Sequence, residues 1–162
     1  MKYRSFAERL ARKEKRKEKA LQIFGQKRVK KRRTKSERKR LVDEADKLFS
    51  LYIRLRDKRK NAGRCLICRK NPIEVCYHLI PRGRYITRWD PSAAVGGCPP
   101  CNFGEKMNRL LYRQKHIDIF GKDFYEALEE KSRQLAKFSV DDLRNMVAEI
   151  RVKLEGVCKE TA

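Results

Sequence analysis

Two Cys-x-x-Cys pairs, Cys65-Leu66-Ile67-Cys68 and Cys98-Pro99-Pro100-Cys101, limit what this chain can fold into more than any other feature. Thiolates three residues apart on a tight turn can span two corners of a tetrahedron. Two such turns complete the four-ligand shell that zinc takes at Zn–S distances of ~2.3 Å. The spacing predicts a structural Zn²⁺ on Cys65, Cys68, Cys98 and Cys101, the alternative being buried free thiols. The 29 residues between the pairs exceed the ~15–20 of a compact zinc ribbon, so an insert is expected there. A closed shell of four cysteines leaves no coordination position for water, and such a metal holds a fold rather than carrying chemistry. The other cysteines, Cys76 and Cys158, read as packing or incidental residues.

Charge narrows the partner. The chain has 162 residues, the length of one domain with an appended arm, and carries 43 Lys and Arg against 21 Asp and Glu, a net +22. A polyanion is the expected partner, nucleic acid first. Residues 1–60 hold 25 basic and 8 acidic side chains and residues 61–162 hold 18 and 13, so most of the excess lies in the N-terminal part. The run QKRVKKRRTKSERKR, residues 26–40, has too little apolar surface to bury. Residues 1–40 are therefore expected to form a basic arm, flexible or helical but unpacked until it meets phosphate; a solvated charge run or localisation tag is the plainer reading. No apolar run approaches the ~18–20 residues of a membrane span, and the opening MKYRSFAERLARKEKRK lacks the apolar region of a signal peptide. These features predict a cytoplasmic or nucleoid protein with no membrane partner.

From Ser36 the pattern turns helical. Leu41, Ala45, Leu48, Tyr52 and Leu55 recur at steps of three and four, predicting an amphipathic helix that ends at Asn61-Ala62-Gly63. A turn at Asn71-Pro72 and the β-prone run Ile73 to Ile80 predict a small hairpin region. Helices are expected from Asn102 to Gln114 and from about Asp123 to Phe138. Ser139-Val140-Asp141-Asp142 is an N-cap signature, followed by Leu143, Val147, Ile150 and Leu154 before Gly156. The domain so outlined covers residues 41–157, with a tail at 158–162.

Inside the insert, His78 stands among Arg82, Arg84, Arg88, Trp89 and Asp90, and Asn102 follows the second cysteine pair directly. A neutral imidazole can take the proton from an attacking water, arginines can hold phosphate oxygens, and a divalent metal at a helix end can stabilise a departing 3′-oxygen. The residues therefore suit phosphodiester hydrolysis. Tyr85 and Trp89 can stack on unpaired bases or pack in the core. His116, between apolar neighbours, reads as packed or surface histidine.

The order Cys-x-x-Cys, His-Leu-Ile-Pro-Arg-Gly, Arg-Trp-Asp-Pro, Cys-x-x-Cys-Asn resembles the zinc-bearing HNH endonucleases of ββα-metal fold. Residues 102–154, with HIDIFGKDFYEALEEKSRQLAKFSVDDLRNMVAEIRVKLE inside, and the basic arm are similar to the phage recombination endonuclease family called NinG or Rap. The resemblance spans residues 41–155. It implies an α+β, mostly helical fold: a ββα-metal (HNH) core with the four-cysteine zinc site, flanked by N- and C-terminal helices. It further implies cleavage of branched DNA such as Holliday junctions and D-loops with Mg²⁺ or Mn²⁺, in the host cytoplasm. His78 would be the general base, and Asn102 and Asp90 would be catalytic residues that hold the metal. Arg82, Arg84, Lys106 and Arg109 would position the DNA backbone. Symmetric junction cleavage needs two active sites, which makes a homodimer a candidate assembly. Two positions depart from the pattern: Ala93 stands where the middle Asn is expected, and Tyr77 where many relatives carry an acidic ligand. The rival expectation is a non-catalytic zinc-knuckle nucleic-acid-binding protein with a degenerate motif.

Overall fold

A computed structural model describes residues 6–25 and 35–159 of the chain. The chain divides into two units, residues 1–34 and 35–162. In the first, helix α1 runs Phe6–Gly25, and its side chains from Ala11 to Lys19 are all exposed, as a Lys- and Arg-rich helix requires. The densest basic residues, 26–34, and the last three of the expected tail, 160–162, lie outside the described residues.

The second unit begins with α2, Glu37–Lys60, whose N-cap is Ser36: the hydroxyl accepts from the Lys39 amide. The helix stops at Asn61, and Ala62 and Gly63 follow with φ of 48° and 71°, the left-handed exit expected from that tripeptide. Its buried stripe differs from the one the apolar letters suggest. Val42, Ala45, Phe49, Ile53 and Asp57 are buried, whereas Leu41, Leu48 and Tyr52 only flank the core. Asp57 explains the offset. Its carboxylate accepts from the Gly96 amide at 2.6 Å and pairs with Arg56, whose guanidinium also donates to the carbonyls of Pro91 and Ala94. A buried polar staple fixes which face of the helix turns inward, and a search for apolar periodicity has no reason to include an aspartate.

Strand β1, Val75–His78, pairs antiparallel with β2, Ala94–Gly97, in the register Val75 to Gly97 and His78 to Ala94. The expected hairpin region at 73–80 thus supplies only one strand. The second, Ala-Val-Gly-Gly, escapes propensity rules because its glycines are selected by space. A Cβ on Gly97 would lie 2.6 Å from the Tyr77 Cβ, and one on Gly96 would lie 2.7 Å from the Ile73 Cδ1. Residues 79–93 connect the strands through a short 3₁₀ turn, Tyr85–Thr87.

Helix α3, Pro99–Met107, follows β2 at once, with Cys98 as its N-cap residue and prolines in its first turn, where a missing N–H costs nothing. The single helix expected from 102 to 114 is in fact two. The chain breaks at Asn108, whose side chain accepts from the Leu111 amide and so caps α4, Arg109–Phe120. Gly121, at φ 90°, turns the chain into α5, Lys122–Arg133, which stops short of the expected Phe138. Ser139 and Asp142 form a reciprocal capping pair, and α6, Val140–Lys159, then runs through Gly156 rather than ending before it.

Two apolar clusters hold this unit together. One packs Val42, Ala45, Phe49 and Ile53 of α2 against Leu143, Val147 and Ile150 of α6, with Trp89 and Ala94. The other gathers the cysteines, Tyr77, Leu79 and Val95 against Tyr112, Tyr125 and Leu128. Among the described residues the unit is mostly helical with one two-stranded sheet, and no helix is long and apolar enough to cross a membrane.

Candidate functional site

The four paired cysteines converge as their spacing requires. Cys65 and Cys68 sit on a turn after α2, closed by Cys65 N–H to Asn71 O and Arg69 N–H to Cys65 O, both 2.8 Å. Cys98 and Cys101 bracket the first turn of α3. All four sulfurs lie within 4.8 Å of one another, and Cys68 Sγ is 3.8 Å from Cys98 Sγ. A tetrahedron with ~2.3 Å arms has edges of about 3.8 Å. The cluster can therefore hold a zinc ion, and its donors suit that metal. Burial pushes up the Cys65 thiol; at Cys68 burial acts the same way, but hydrogen bonds from the Asn71 and Lys70 amides outweigh it and bring the thiol down to about 6.

A second, open site lies on the other side of β1. Strand alternation turns Tyr77 into the core, where its hydroxyl meets His116 Nε2 at 2.7 Å, and turns Cys76 and His78 the opposite way. Cys76 and His78 line a cavity of about 540 Å³ with Pro81, Arg82, Asn102, Glu105, Lys106 and Arg109. His78 is half-buried, and burial lowers its pKa to about 4, so the ring is neutral at pH 7. Its Nε2 lies 3.2 Å from the Arg88 carbonyl. A carbonyl only accepts, so Nε2 carries the hydrogen and Nδ1 keeps its lone pair beside the Cys76 sulfur, 4.0 Å away. Burial pushes the Cys76 thiol up to about 12, which keeps it uncharged there.

The carbonyl that sets this tautomer is itself held from α2. Asp46 takes two hydrogen bonds from the Arg88 guanidinium, at 2.9 and 2.6 Å, and a third from the Trp89 indole at 2.9 Å. Burial works to raise the Asp46 carboxyl, but the Arg88 bonds prevail and hold it below the usual carboxylate range.

A family model described as Bacteriophage Lambda NinG protein matches residues 1–160. The chain belongs to the NinG family. No curated protein and no solved structure matches it.

In this NinG-family chain, His78, Arg82, Asn102, Lys106 and Arg109 share one cavity. Asp90 does not line it. One Asp90 oxygen accepts from the Ser92 amide and hydroxyl, and the other meets Lys131 Nζ at 2.7 Å, so this carboxylate braces the connection between strands. Arg84 lines an adjoining cavity of about 630 Å³, which shares Pro81 and Arg109 with the first. Trp89 is buried against Tyr85 and Phe138, which takes it away from stacking on a base. Ala93 is fully buried, its amide donating to Asp90 O and its carbonyl accepting from Leu79. Sequence reasoning missed Glu105, Asp46 and the part Arg88 plays. Glu105 alone left a readable signal: it stands three residues after Asn102 and so shares its helical face.

Proposed function

We propose that this chain is a metal-dependent DNA endonuclease of HNH type that acts on branched recombination intermediates, with His78 activating the attacking water. The observation that carries the reading is the 3.2 Å contact between His78 Nε2 and the Arg88 carbonyl. The Arg88 carbonyl takes Nε2–H, so Nδ1, beside the protonated Cys76 thiol, is the basic nitrogen of a ring that lines one cavity with Lys106 and Arg109. The antiparallel β1–β2 pair followed directly by α3 has the element order of a ββα core.

His78 would take a proton from water at Nδ1, and the imidazolium so formed would keep its Nε2–H on Arg88 O. A phosphodiester entering the cavity brings negative charge that raises the imidazole pKa from about 4 towards neutrality, where a general base works best. Lys106, Arg109 and Arg82 would hold the non-bridging oxygens and Arg84 the neighbouring phosphate. Asn102 and Glu105, one helical turn apart, are the oxygen donors that would hold a Mg²⁺ or Mn²⁺ ion. Such an ion, when bound, supplies charge stabilisation for the leaving 3′-oxygen. The four-cysteine cluster would carry zinc as a structural ion. With Ala93 in the place of the middle Asn, the connection between strands is braced by Asp90 on Ser92 and by Arg56 on Pro91 O.

The rival reading, a zinc-knuckle nucleic-acid-binding protein without catalysis, is favoured by one observation: Ala93 and the engaged Asp90 leave the cavity with few metal ligands. A nicking assay on four-way junctions and plasmid DNA, with Mg²⁺ or Mn²⁺ and a His78→Ala control, separates the two. Cleavage by wild type that His78→Ala loses is the expected result. Equal rates under both metals would refute the enzyme. Sedimentation of the junction complex tests the homodimer that paired cleavage requires.

A further inference from the structure

Four large apolar side chains stand out of the surface within one short stretch: Phe103 is 65% exposed, Met107 71%, Leu110 82% and Leu111 49%. None belongs to either core cluster. They lie on α3 and the start of α4, the segment that also carries Asn102, Lys106 and Arg109 into the His78 cavity. Leu110 lines the adjoining cavity beside Arg109 and Arg84. Apolar surface concentrated beside a polar cavity marks a contact site rather than chance exposure.

The charges around it decide the occupant. In the sequence Lys106 falls between Phe103 and Met107, and Arg109 between Met107 and Leu110, so exposed apolar and cationic side chains are interleaved along this segment of α3 and α4. Lys106 has no ion-pair partner among the described residues, and Arg109 has only Glu105, 3.7 Å away. A second copy would bring its own net +22 and the same cations against these. Nucleic acid offers the complementary order, phosphates for the cations and base faces for the apolar groups. Unstacking a base is costly in a continuous duplex and least so where stacking is already interrupted, so a branch is the favoured place for such contacts.

We propose that Phe103, Met107 and Leu110 form a wedge that receives unstacked bases beside the His78 cavity and so selects branched over continuous DNA. This rests on the nuclease reading above and names its substrate-discriminating surface. The wedge works by binding, with no part in proton transfer.

The test compares full-length zinc-loaded protein in a His78→Ala background, which removes cleavage, with the same protein carrying Phe103→Ala, Met107→Ala and Leu110→Ala. Fluorescence anisotropy measures binding to a four-way junction and to a linear duplex of equal length, and 2-aminopurine at the branch reports unstacking. The wedge predicts about a tenfold or greater loss of junction affinity, less than a twofold change for the duplex, and loss of the 2-aminopurine signal. Phe103→Trp should retain both. Equal loss on both DNAs, or no loss, overturns the proposal. A wild-type dimer that the triple variant converts to monomer, seen by light scattering, overturns it in favour of a second copy as occupant. If wild type fails to nick any DNA yet the triple variant loses junction preference, the wedge stands and the nuclease reading falls; nicking with preference unchanged gives the reverse.

Discussion

The cysteine cluster and the His78 cavity lie on opposite sides of the same strand and are built on opposite plans. Around the cysteines, four like donors close on one another, three of them buried. Around His78 the donors differ in kind, the walls are cationic, and the cavity opens to solvent. A closed site of identical ligands can only hold, whereas an open site of unlike groups can admit a substrate and move a proton. The two are coupled because α3 supplies both Cys101 and Asn102, adjacent residues that point to different sites.

That coupling makes metal removal the harshest test. Chelation, or Cys98→Ser, should release about one zinc per chain, measured by atomic emission, and abolish the near-UV circular dichroism of the Tyr77 and Tyr112 cluster, because binding energy at such sites is folding energy. An apo protein with an unchanged spectrum would show that the thiols are mere packing. His78→Ala should break the comparison on one side only. It should slow nicking by about 10²- to 10⁴-fold, the usual contribution of a general base, while zinc content and Tm hold. A variant that also loses zinc would mean that the two sites are not separable.

Asp57 ties both regions to α2 through Gly96, one residue before the Gly97–Cys98 junction. Asp57→Ala leaves the Arg56 guanidinium without its carboxylate and orphans a buried amide. It should cost about 3–5 kcal/mol in urea unfolding. A loss below about 1 kcal/mol would mean that water replaces the staple.

What could be read from the sequence follows from how local each feature is. The cysteine pairs, the helix stop at Asn61 to Gly63 and the Ser139 cap are short-range signals, and the structure has each in the expected conformation. His78 beside Asn102 needed the cysteine turns to bring them near, and those turns were legible. The Asp46 to Arg88 contact was not, since it joins residues 42 positions apart with nothing periodic between them. Strand β2 was hidden because Gly96 and Gly97 answer to their neighbours' bulk rather than to strand propensity. The break at Asn108 was hidden by good helix formers on both sides.

The smallest expected effect separates the chain's two histidines. Both are held neutral: burial lowers His116, like His78, from 6.5 to about 4. His116 is 1% exposed, and its Nδ1 has no hydrogen-bond partner, so a proton there gains a charge and no contact. Between about pH 6.5 and 4 the unfolded chain binds a proton at each histidine that the folded chain refuses. The stability this represents is complete above about pH 6.5 and is lost as pH falls through that window, by up to about 1.4 kcal/mol per pH unit for each ring. Asp43, held at about 2 by hydrogen bonds from Lys35 and Lys39, adds its own loss only at lower pH. Thiolates of a zinc-loaded cluster would also take up protons in acid, but equally in a variant that keeps the cluster. His116→Gln should therefore flatten the pH dependence of urea stability by about one proton between about pH 6.5 and 5, while the pH profile of nicking, which the proposed nuclease would owe to His78, should stay where it was. A flattened stability curve with a displaced activity profile would show that the core and the open cavity titrate as one.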